Sequence, residues 1–257
     1  MRLGPEVCLV LPVLNEERQL SFSVRRTREV LDRMSHWQWD LVVVDNGSTD
    51  RTWDIARDLE RRGWARVMRL EQRGRGRALR AAWLSSEADF LAYMDVDLST
   101  DLRHLGDLLE PLALGLADVT VGSRLMRRAE VRRSWIRGVL SRNYNRLARR
   151  LTGSGIVDHQ CGFKAMTRGA ARALLPQVEN NHWFFDTELL ILAQRKGWRI
   201  REFPVVWTED EDSRVRLMGT ILEEFCGLWR LRTRRRFRSS TAPDPSGHDL
   251  GNGRRPP

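Results

Sequence analysis

Two aspartates one residue apart follow an apolar segment in the middle of this 257-residue chain. Asp95 and Asp97 come directly after Phe90–Met94, whose side chains are apolar on both faces of a strand, as is typical inside a parallel sheet. Alternation points both carboxylates the same way, and burying them is costly unless a positive group pairs with them. The pattern favours a site for Mg²⁺ or Mn²⁺, shared with substrate phosphates, over a solvated loop whose acids cap a helix.

A third aspartate and a glycine-rich loop follow neighbouring strands in the same fashion. Asp45 ends an apolar strand at 41–44, where its carboxylate would accept hydrogen bonds from a ribose or a base edge. The alternative is an Asx-turn with its own backbone. The loop at 73–76 would bring backbone N–H groups and guanidinium groups to a diphosphate. Here the alternative is a plain connecting turn, because the Walker spacing is absent.

Other familiar reactive sites are not supported by the residue spacing. His159, Cys161 and His182 match no ordinary zinc site, so we expect a packed histidine and a buried thiol. No nucleophile elbow supports a Ser/His/Asp triad. Metal-assisted transfer from a nucleotide is the chemistry that remains.

The elements that must position these residues alternate between strand and helix. Apolar runs predict four strands in the first half of the chain, at 7–11, 41–44, 66–70 and 90–94. Helices lie between them. The first is predicted to begin at Asn15 and to run to about Arg33, and Ser48 or Thr49 is the predicted cap of the second one. In the second half we predict strands at 119–122 and 200–207 and helices at 132–151, 184–194 and 217–231. Such βαβ units imply a parallel sheet with ligands at the carboxyl ends of its strands.

Composition indicates one globular domain with an anionic partner. The chain is 41% hydrophobic and 30% charged, with a formal net charge of +10 that arginine supplies almost alone. This charge favours an anionic membrane surface or substrate, and we do not interpret it as nucleic-acid binding. The composition from Ser239 onwards predicts a disordered tail at 239–257, after a catalytic domain at 1–238.

Cysteine usage and hydropathy bear on the compartment. The three cysteines form neither a disulfide framework nor a metal pair, which favours a reducing, cytoplasmic setting. The start of the chain has no signal-peptide layout. No stretch approaches the roughly 18 apolar residues that would span a membrane. We therefore expect a protein that is soluble or lies on a membrane surface.

Two basic amphipathic helices are predicted in the second half. One carries Trp135, Ile136 and Leu140 on a stripe, and the other carries Leu222, Phe225 and Trp229 on a stripe that runs into an arginine-rich segment at 230–238. Either stripe would lie among lipid headgroups, where arginines add attraction to anionic lipid, or it would pack on the sheet.

The order of the motifs resembles glycosyltransferase family 2, in the branch of the polyprenyl-phosphate glycosyltransferases (dolichyl-phosphate glucose and mannose synthases). The resemblance covers roughly residues 5–232 and rests on "LVLPVLNEE", "VVVDNGSTD", "YMDVDLST", "VGSR", "DHQCGFKAMTR", "WFFDTELLILA" and "FPVVWTEDEDSRV". It implies a GT-A-type α/β fold, a Rossmann-like and mostly parallel sheet flanked by helices, with C-terminal amphipathic helices. The implied reaction is metal-dependent, inverting transfer of a hexose from UDP-glucose or GDP-mannose to polyprenyl phosphate at the cytoplasmic membrane face.

The resemblance also implies roles for individual residues. Those implied to cradle the nucleotide base are Pro12, Leu14, Glu16 and Asp45. The metal ligands on the diphosphate would be Asp95 and Asp97. The groups implied to grip the acceptor phosphate are Arg124, Arg137 and Ser141, and those that close a loop over the nucleotide-sugar are Ser213 and Arg214. Asp186 would be a base, an orienting group or a structural helix-start residue.

Some positions depart from the pattern, and two other functions stay open. Asn46 and Arg75 stand where many members have Asp and Lys, and "DVDLST" lies between the mannose and glucose forms. A transferase with a saccharide or protein hydroxyl acceptor would need Asp186 and not Arg137. A phosphate acceptor is already anionic at neutral pH and needs no strong base. The third possibility is a non-catalytic basic module that binds membranes or nucleic acid.

Overall fold

The computed structural model describes residues 4–209 and 217–233, the latter without the side chains of residues 217–222. The strands are β1 Glu6–Val13, β2 Gln38–Asp45, β3 Arg66–Arg69, β4 Phe90–Met94, β5 Val119–Ser123, β6 Glu130–Arg132, β7 Phe163–Thr167, β8 Ile200–Pro204 and β9 Val206–Thr208. The helices are α1 Leu20–Leu31, α2 Thr52–Arg61, α3 Arg75–Leu84, α4 Leu105–Ala113, α5 Trp135–Thr152, α6 Arg168–Leu174, α7 Phe185–Arg195 and α8 Leu217–Thr233.

A seven-stranded, mostly parallel sheet forms the centre, in the order β3-β2-β1-β4-β7-β5-β8. Only β7 among these strands runs against its neighbours, pairing antiparallel with both β4 and β5. The predicted α/β fold with a mostly parallel sheet is therefore confirmed. The short β7 was not predicted, because Lys164 interrupts its apolar pattern and is nevertheless fully buried.

Helices cover both faces of the sheet because its inner strands are apolar on both sides. Leu9 of β1 belongs to one cluster of buried side chains, formed with α1, α2 and α4. Its neighbour Val10 belongs to a second cluster, formed with α3, α6 and α7. Alternation along a strand sends successive side chains to opposite faces, so a single apolar run supplies two cores.

Two local predictions about where helices begin are wrong. Ser48 and Thr49 do not cap α2, which begins at Thr52 after an Arg51 without a capping side-chain hydrogen bond. Ser48 Oγ instead accepts a hydrogen bond from the backbone N–H of Asn15. The first helix starts at Leu20 and not at Asn15, whose φ of 58° is incompatible with a right-handed helix.

The predicted strand at 200–207 is two strands in two sheets. β8 pairs parallel with β5 in the large sheet, whereas β9 pairs parallel with β6 in a two-stranded sheet. The buried Val205 separates them, and the change of sheet lets β9 deliver Trp207 to the edge of the cavity described below. The predicted tail at 239–257 lies outside the described residues.

Candidate active site

A cavity of about 800 Å³ opens at the carboxyl ends of β1 and β4 and is walled by α5 and α8. It collects most of the residues to which the family resemblance gives a role. Those that line it are Pro12, Leu14, Glu16, Asp95, Asp97, Arg124, Arg137, Ser141 and Asp186. Asp45 does not line it, although its neighbour Asn46 does. Ser213 and Arg214 lie outside the described residues.

Hydrogen bonds tie the loop after β1 to the loop after β2 and to the start of α2. The backbone N–H of Asn15 donates to Ser48 Oγ at 2.9 Å, and that of Glu16 donates to Thr52 Oγ1 at 2.7 Å. Asn15 Oδ1 accepts from the backbone N–H of Thr49 at 2.8 Å, a bond that its left-handed backbone permits. This end of the cavity is therefore a preformed rim, held in place by hydrogen bonds between the two segments.

Asp45 lies beneath that rim, fully buried. Its Oδ1 accepts the backbone N–H of Ser48 at 3.1 Å, and its Oδ2 is 3.4 Å from Nε of Arg69. The structure therefore shows Asp45 in the turn that the sequence left as the alternative. Asn46 Oδ1 accepts the backbone N–H of Gly74 at 2.8 Å, which anchors the glycine-rich loop to the same strand end.

The two carboxylates after β4 are held in different ways. Asp97 Oδ1 accepts the backbone N–H of Ser99 at 2.9 Å, in a turn where Leu98 has a φ of 52°. A Cβ on Gly162 would come within 1.8 Å of Asp95 Oδ2, so a side chain at that position would displace the carboxylate. Burial raises the pKa of Asp95 to about 6; the neighbouring Arg75 lowers it and the Asp97 charge raises it again.

The donor atoms of this pair fit Mg²⁺ or Mn²⁺. Both ions prefer oxygen ligands, and carboxylates are the usual protein contribution. Within residues 4–209 and 217–233, no group of three or more His, Cys, Asp or Glu side chains is assembled to hold a metal ion. A cation at Asp95 and Asp97 would therefore need further oxygens, of the kind that a diphosphate supplies.

A buried charged cluster lies next to Asp95, and the sequence patterns did not identify it. Asp186 Oδ1 is 3.1 Å from Nζ of Lys164 and accepts the hydroxyl of Tyr93. Asp186 Oδ2 is 3.5 Å from Nη1 of Arg75. Nη2 of Arg75 also donates to Asp95 Oδ1 at 2.7 Å, and its guanidinium carbon lies 5.1 Å from the ring centres of both Tyr93 and Trp183. Both oxygens of Asp186 are thus engaged by cations.

The arginines assigned to the acceptor phosphate are held by carboxylates. Nε and Nη2 of Arg124 donate to Asp158 at 2.8 and 2.9 Å, in a buried bidentate pair. Burial acts to raise the pKa of Asp158, but Arg124 brings it down to about 2. Arg137 Nη1 is 2.5 Å from Glu209 Oε1. Ser141 lies one helical turn after Arg137, and its buried Oγ has no hydrogen-bond partner among the described residues.

His159 is a packed residue, as expected. It is fully buried, with Nδ1 2.8 Å from Asn145 Oδ1 and Nε2 2.9 Å from Ser154 Oγ. Burial lowers its pKa to about 4. Cys161 is a buried free thiol, and burial raises its pKa to about 12. Both predictions about these side chains are confirmed.

Helices α5 and α8 carry exposed apolar side chains, two of which line the cavity. Trp135, on α5, is 75% exposed, and Trp229, on α8, is 58% exposed. Leu140 and Phe225 are exposed as well, and both line the cavity. These parts of the two stripes therefore do not pack on the sheet; the side chain of Leu222 lies outside the described residues. In the part of the chain that the structure describes, no helix has the length and hydropathy of a membrane span.

Together these features define a class. The sheet is mostly parallel and carries a carboxylate pair at the end of β4, beside a preformed rim and a set of arginines. This is the GT-A-like arrangement of a glycosyltransferase. The sequence pattern of Glycosyl transferase family 2 matches residues 8–175. The chain belongs to that family.

Three comparisons place the chain among its relatives. Glycosyltransferase AglD of Haloferax volcanii is 43% identical over 223 residues, which are 85% of this chain and 36% of AglD. The dolichyl-phosphate beta-glucosyltransferase of Drosophila melanogaster is 32% identical, over 82% of this chain and 69% of that protein. Glucosyl-3-phosphoglycerate synthase from Mycobacterium tuberculosis, solved with Mn²⁺, UDP-glucose and phosphoglyceric acid, has a TM-score of 0.70 at 20% identity, over 90% and 80% of the two chains. This last likeness is one of fold. The chain spans about a third of the length of AglD.

Proposed function

We propose that this chain transfers glucose from UDP-glucose to polyprenyl phosphate, with inversion at the anomeric carbon. The observation that carries the proposal is that a carboxylate pair, the three polar groups proposed for the acceptor and an open apolar end meet in one cavity. Relatives named as dolichyl-phosphate beta-glucosyltransferases, such as those of Drosophila melanogaster and Trichomonas vaginalis, support glucose over mannose.

The donor would lie across the carboxyl ends of β1 and β4. Pro12, Leu14 and Glu16 line the cavity where the base would rest, and Asp45 supports the turn behind them. Asp95 and Asp97 would hold Mg²⁺ or Mn²⁺ against the diphosphate. Such an ion offsets the charge that grows on the leaving diphosphate.

Arg124, Arg137 and Ser141 would hold the acceptor phosphate. A phosphate oxygen forms the new bond to the anomeric carbon while the bond from that carbon to the diphosphate oxygen breaks. Phosphate monoesters have a second pKa of about 6 and are already largely anionic at neutral pH, so the acceptor needs no strong base. The arginines offset repulsion between two phosphorylated substrates, and the open apolar end suits an isoprenoid chain.

Asp186 acts in this proposal as an orienting group. Lys164, Tyr93 and Arg75 already occupy its two oxygens, which leaves it poorly placed to take a proton from a hydroxyl acceptor. It holds Arg75 beside Asp95 instead. This geometry supports a phosphate acceptor over a saccharide or protein hydroxyl.

The test is transfer of label from UDP-glucose or GDP-mannose into the organic phase, with a short polyprenyl phosphate, the matching polyprenol or a saccharide as acceptor. We expect transfer from UDP-glucose to the phosphate only. Arg137→Gln should raise the acceptor KM by about tenfold to a hundredfold, because it removes a charge-assisted hydrogen bond. The exposed Arg146, on the same helix and outside the cavity, provides the control Arg146→Gln. Transfer to polyprenol or saccharide, with Arg137→Gln unaffected, would establish a hydroxyl acceptor.

We also propose that the protein is peripheral on the cytoplasmic face of an anionic membrane. Trp135, Ile136 and Leu140 of α5 and Phe225 and Trp229 of α8 are exposed, and Leu140 and Phe225 also line the cavity. The charge of +10 adds attraction to anionic lipid. The free cysteines suit a reducing compartment.

Sedimentation with vesicles of neutral and anionic phospholipid tests this surface. Trp135→Ser and Trp229→Ser should each weaken vesicle binding by roughly tenfold, since each removes a large apolar contact with the headgroup region. Leu114→Ser is the matched control, because Leu114 is 70% exposed at the end of α4 and outside the cavity. Equal losses in all three variants would contradict this apolar surface, and retention on DNA in place of vesicles would favour the basic-module alternative.

A further inference from the structure

Helix α8 adds a carboxylic acid to the wall of the cavity. Glu224 lines the cavity and is only 3% exposed. It lies beyond residues 8–175, the range that the family pattern matches, and none of the motifs quoted above contains it. A buried acid facing a cavity requires partners for its oxygens.

Glu224 has such partners from two other parts of the chain. Its Oε1 accepts a hydrogen bond from Nε2 of Gln160 at 2.9 Å, and its Oε2 accepts the hydroxyl of Tyr144. The Tyr144 hydroxyl also lies 2.9 Å from Oγ1 of Thr187. One buried acid therefore joins α8 to α5, to the segment before β7 and, through Tyr144, to α7.

Each of these contacts leads to a residue of the proposed acceptor site. Tyr144 lies on the same wall of the cavity as Arg137 and Ser141, at helical spacings that place the three along one face of α5. Gln160 follows two residues after Asp158, the partner of Arg124. Glu224 is therefore hydrogen-bonded to side chains from both of these segments, α5 and the segment before β7.

We propose that Glu224 is a positioning residue for the acceptor phosphate, and that it acts through its hydrogen bonds to Tyr144 and Gln160, for which its negative charge is not required. The proposal rests on the phosphate acceptor proposed above. A hydrogen-bonding group of the same shape should therefore replace the acid, whereas an apolar group should not.

The charge state of Glu224 provides a second readout. Burial raises its pKa to about 7; Tyr144 and Gln160 lower it, and the charges of Glu223 and Asp186 raise it. These are the groups that face it from α5, the segment before β7, its own helix and α7. Because the pKa is raised, the acid is neutral below about pH 7 and becomes anionic above it. An anion there repels a phosphate dianion, so acceptor binding should weaken as the pH rises through 7.

The experiment measures binding of farnesyl phosphate by tryptophan fluorescence, with Trp183 and Trp207 in the cavity wall as reporters. Glu224→Leu should raise the Kd for farnesyl phosphate at least about tenfold, by the loss of two buried hydrogen bonds, and leave the Kd for UDP with Mn²⁺ within about twofold. Glu224→Gln should keep the wild-type Kd for farnesyl phosphate at neutral pH. Its binding of farnesyl phosphate should not weaken as the pH rises above 7. The control is Glu29→Gln, on the exposed side of α1, which should change nothing.

Three results would overturn the inference. Glu224→Leu could bind farnesyl phosphate as tightly as wild type, or Glu224→Gln could be as damaging as Glu224→Leu, which would make the charge essential. If Glu224→Leu fails to fold, Tyr144→Phe takes its place, because it removes one of the same hydrogen bonds. An unchanged Kd of Tyr144→Phe for farnesyl phosphate is the third result. Glucose transfer by the wild type tests the proposed function separately. The Kd values for farnesol and for inorganic phosphate, measured in the same way, show whether the isoprenoid or the phosphate drives binding.

Discussion

Replacing Asp97 by asparagine should lower kcat for sugar transfer at least about a thousandfold. Removing one of two carboxylates from a metal-diphosphate site forfeits several kcal/mol of stabilisation of the leaving group, and about 1.4 kcal/mol corresponds to each tenfold in rate. The fold should be unaffected. Asparagine keeps an oxygen to accept the backbone N–H of Ser99, which in the wild type donates to Asp97 Oδ1.

Two measurements separate metal binding from general damage. Titration of Mn²⁺ in the presence of UDP should show weakened binding in Asp97→Asn, while thermal unfolding stays at the wild-type temperature. Asp54→Asn, in the exposed first turn of α2 and outside the cavity, is the control and should retain wild-type kcat. Full activity of Asp97→Asn would remove the metal from the proposed mechanism.

The second large effect concerns stability. Asp158→Asn should lower the free energy of unfolding by about 3–5 kcal/mol, the usual result of removing one partner from a buried ion pair. The change leaves the guanidinium of Arg124 buried against an amide that carries no charge. Because Arg124 also belongs to the proposed acceptor site, acceptor KM should rise in the same variant.

The chain contains a matched control for this prediction. Asp118 accepts the backbone N–H, Nε and Nη2 of Arg199, the same three donors that Asp158 accepts from Arg124. The difference is burial, since Arg199 is 57% exposed and Asp158 is fully buried. Asp118→Asn should therefore lower the free energy of unfolding by no more than about 1 kcal/mol. Equal costs for the two variants in urea unfolding would contradict the argument from burial.

The contribution of Asp158 to the free energy of unfolding should depend on pH in one direction. The folded pKa of Asp158 is lowered from 3.8 to about 2, so this carboxylate adds stability above pH 3.8 that is lost as the pH falls towards 2. The stability difference between wild type and Asp158→Asn should therefore narrow over that interval. Urea unfolding at a series of acid pH values measures it, and a difference that grows on acidification would contradict the assignment.

Local sequence pattern determined much of this protein. The apolar runs that became β1, β2 and β4 were predictable because a strand buried on both faces must be apolar along its length. Parallel strands bring their carboxyl ends to one edge, so Asp95, Asp97 and the loop at 73–76 were expected to meet there. The ordered motifs indicated the family and a list of site residues, most of which the structure places in one cavity.

Only the tertiary structure decided which side chain pairs with each buried charged group. Lys164 reaches Asp186, Glu209 reaches Arg137 and Glu224 reaches Tyr144, and no local spacing relates the members of these pairs. The split of the predicted strand at 200–207 also depended on which sheet edges were free to pair. Periodicity reports which face of an element is buried, whereas the partner of a buried charge is set by the packing of distant elements.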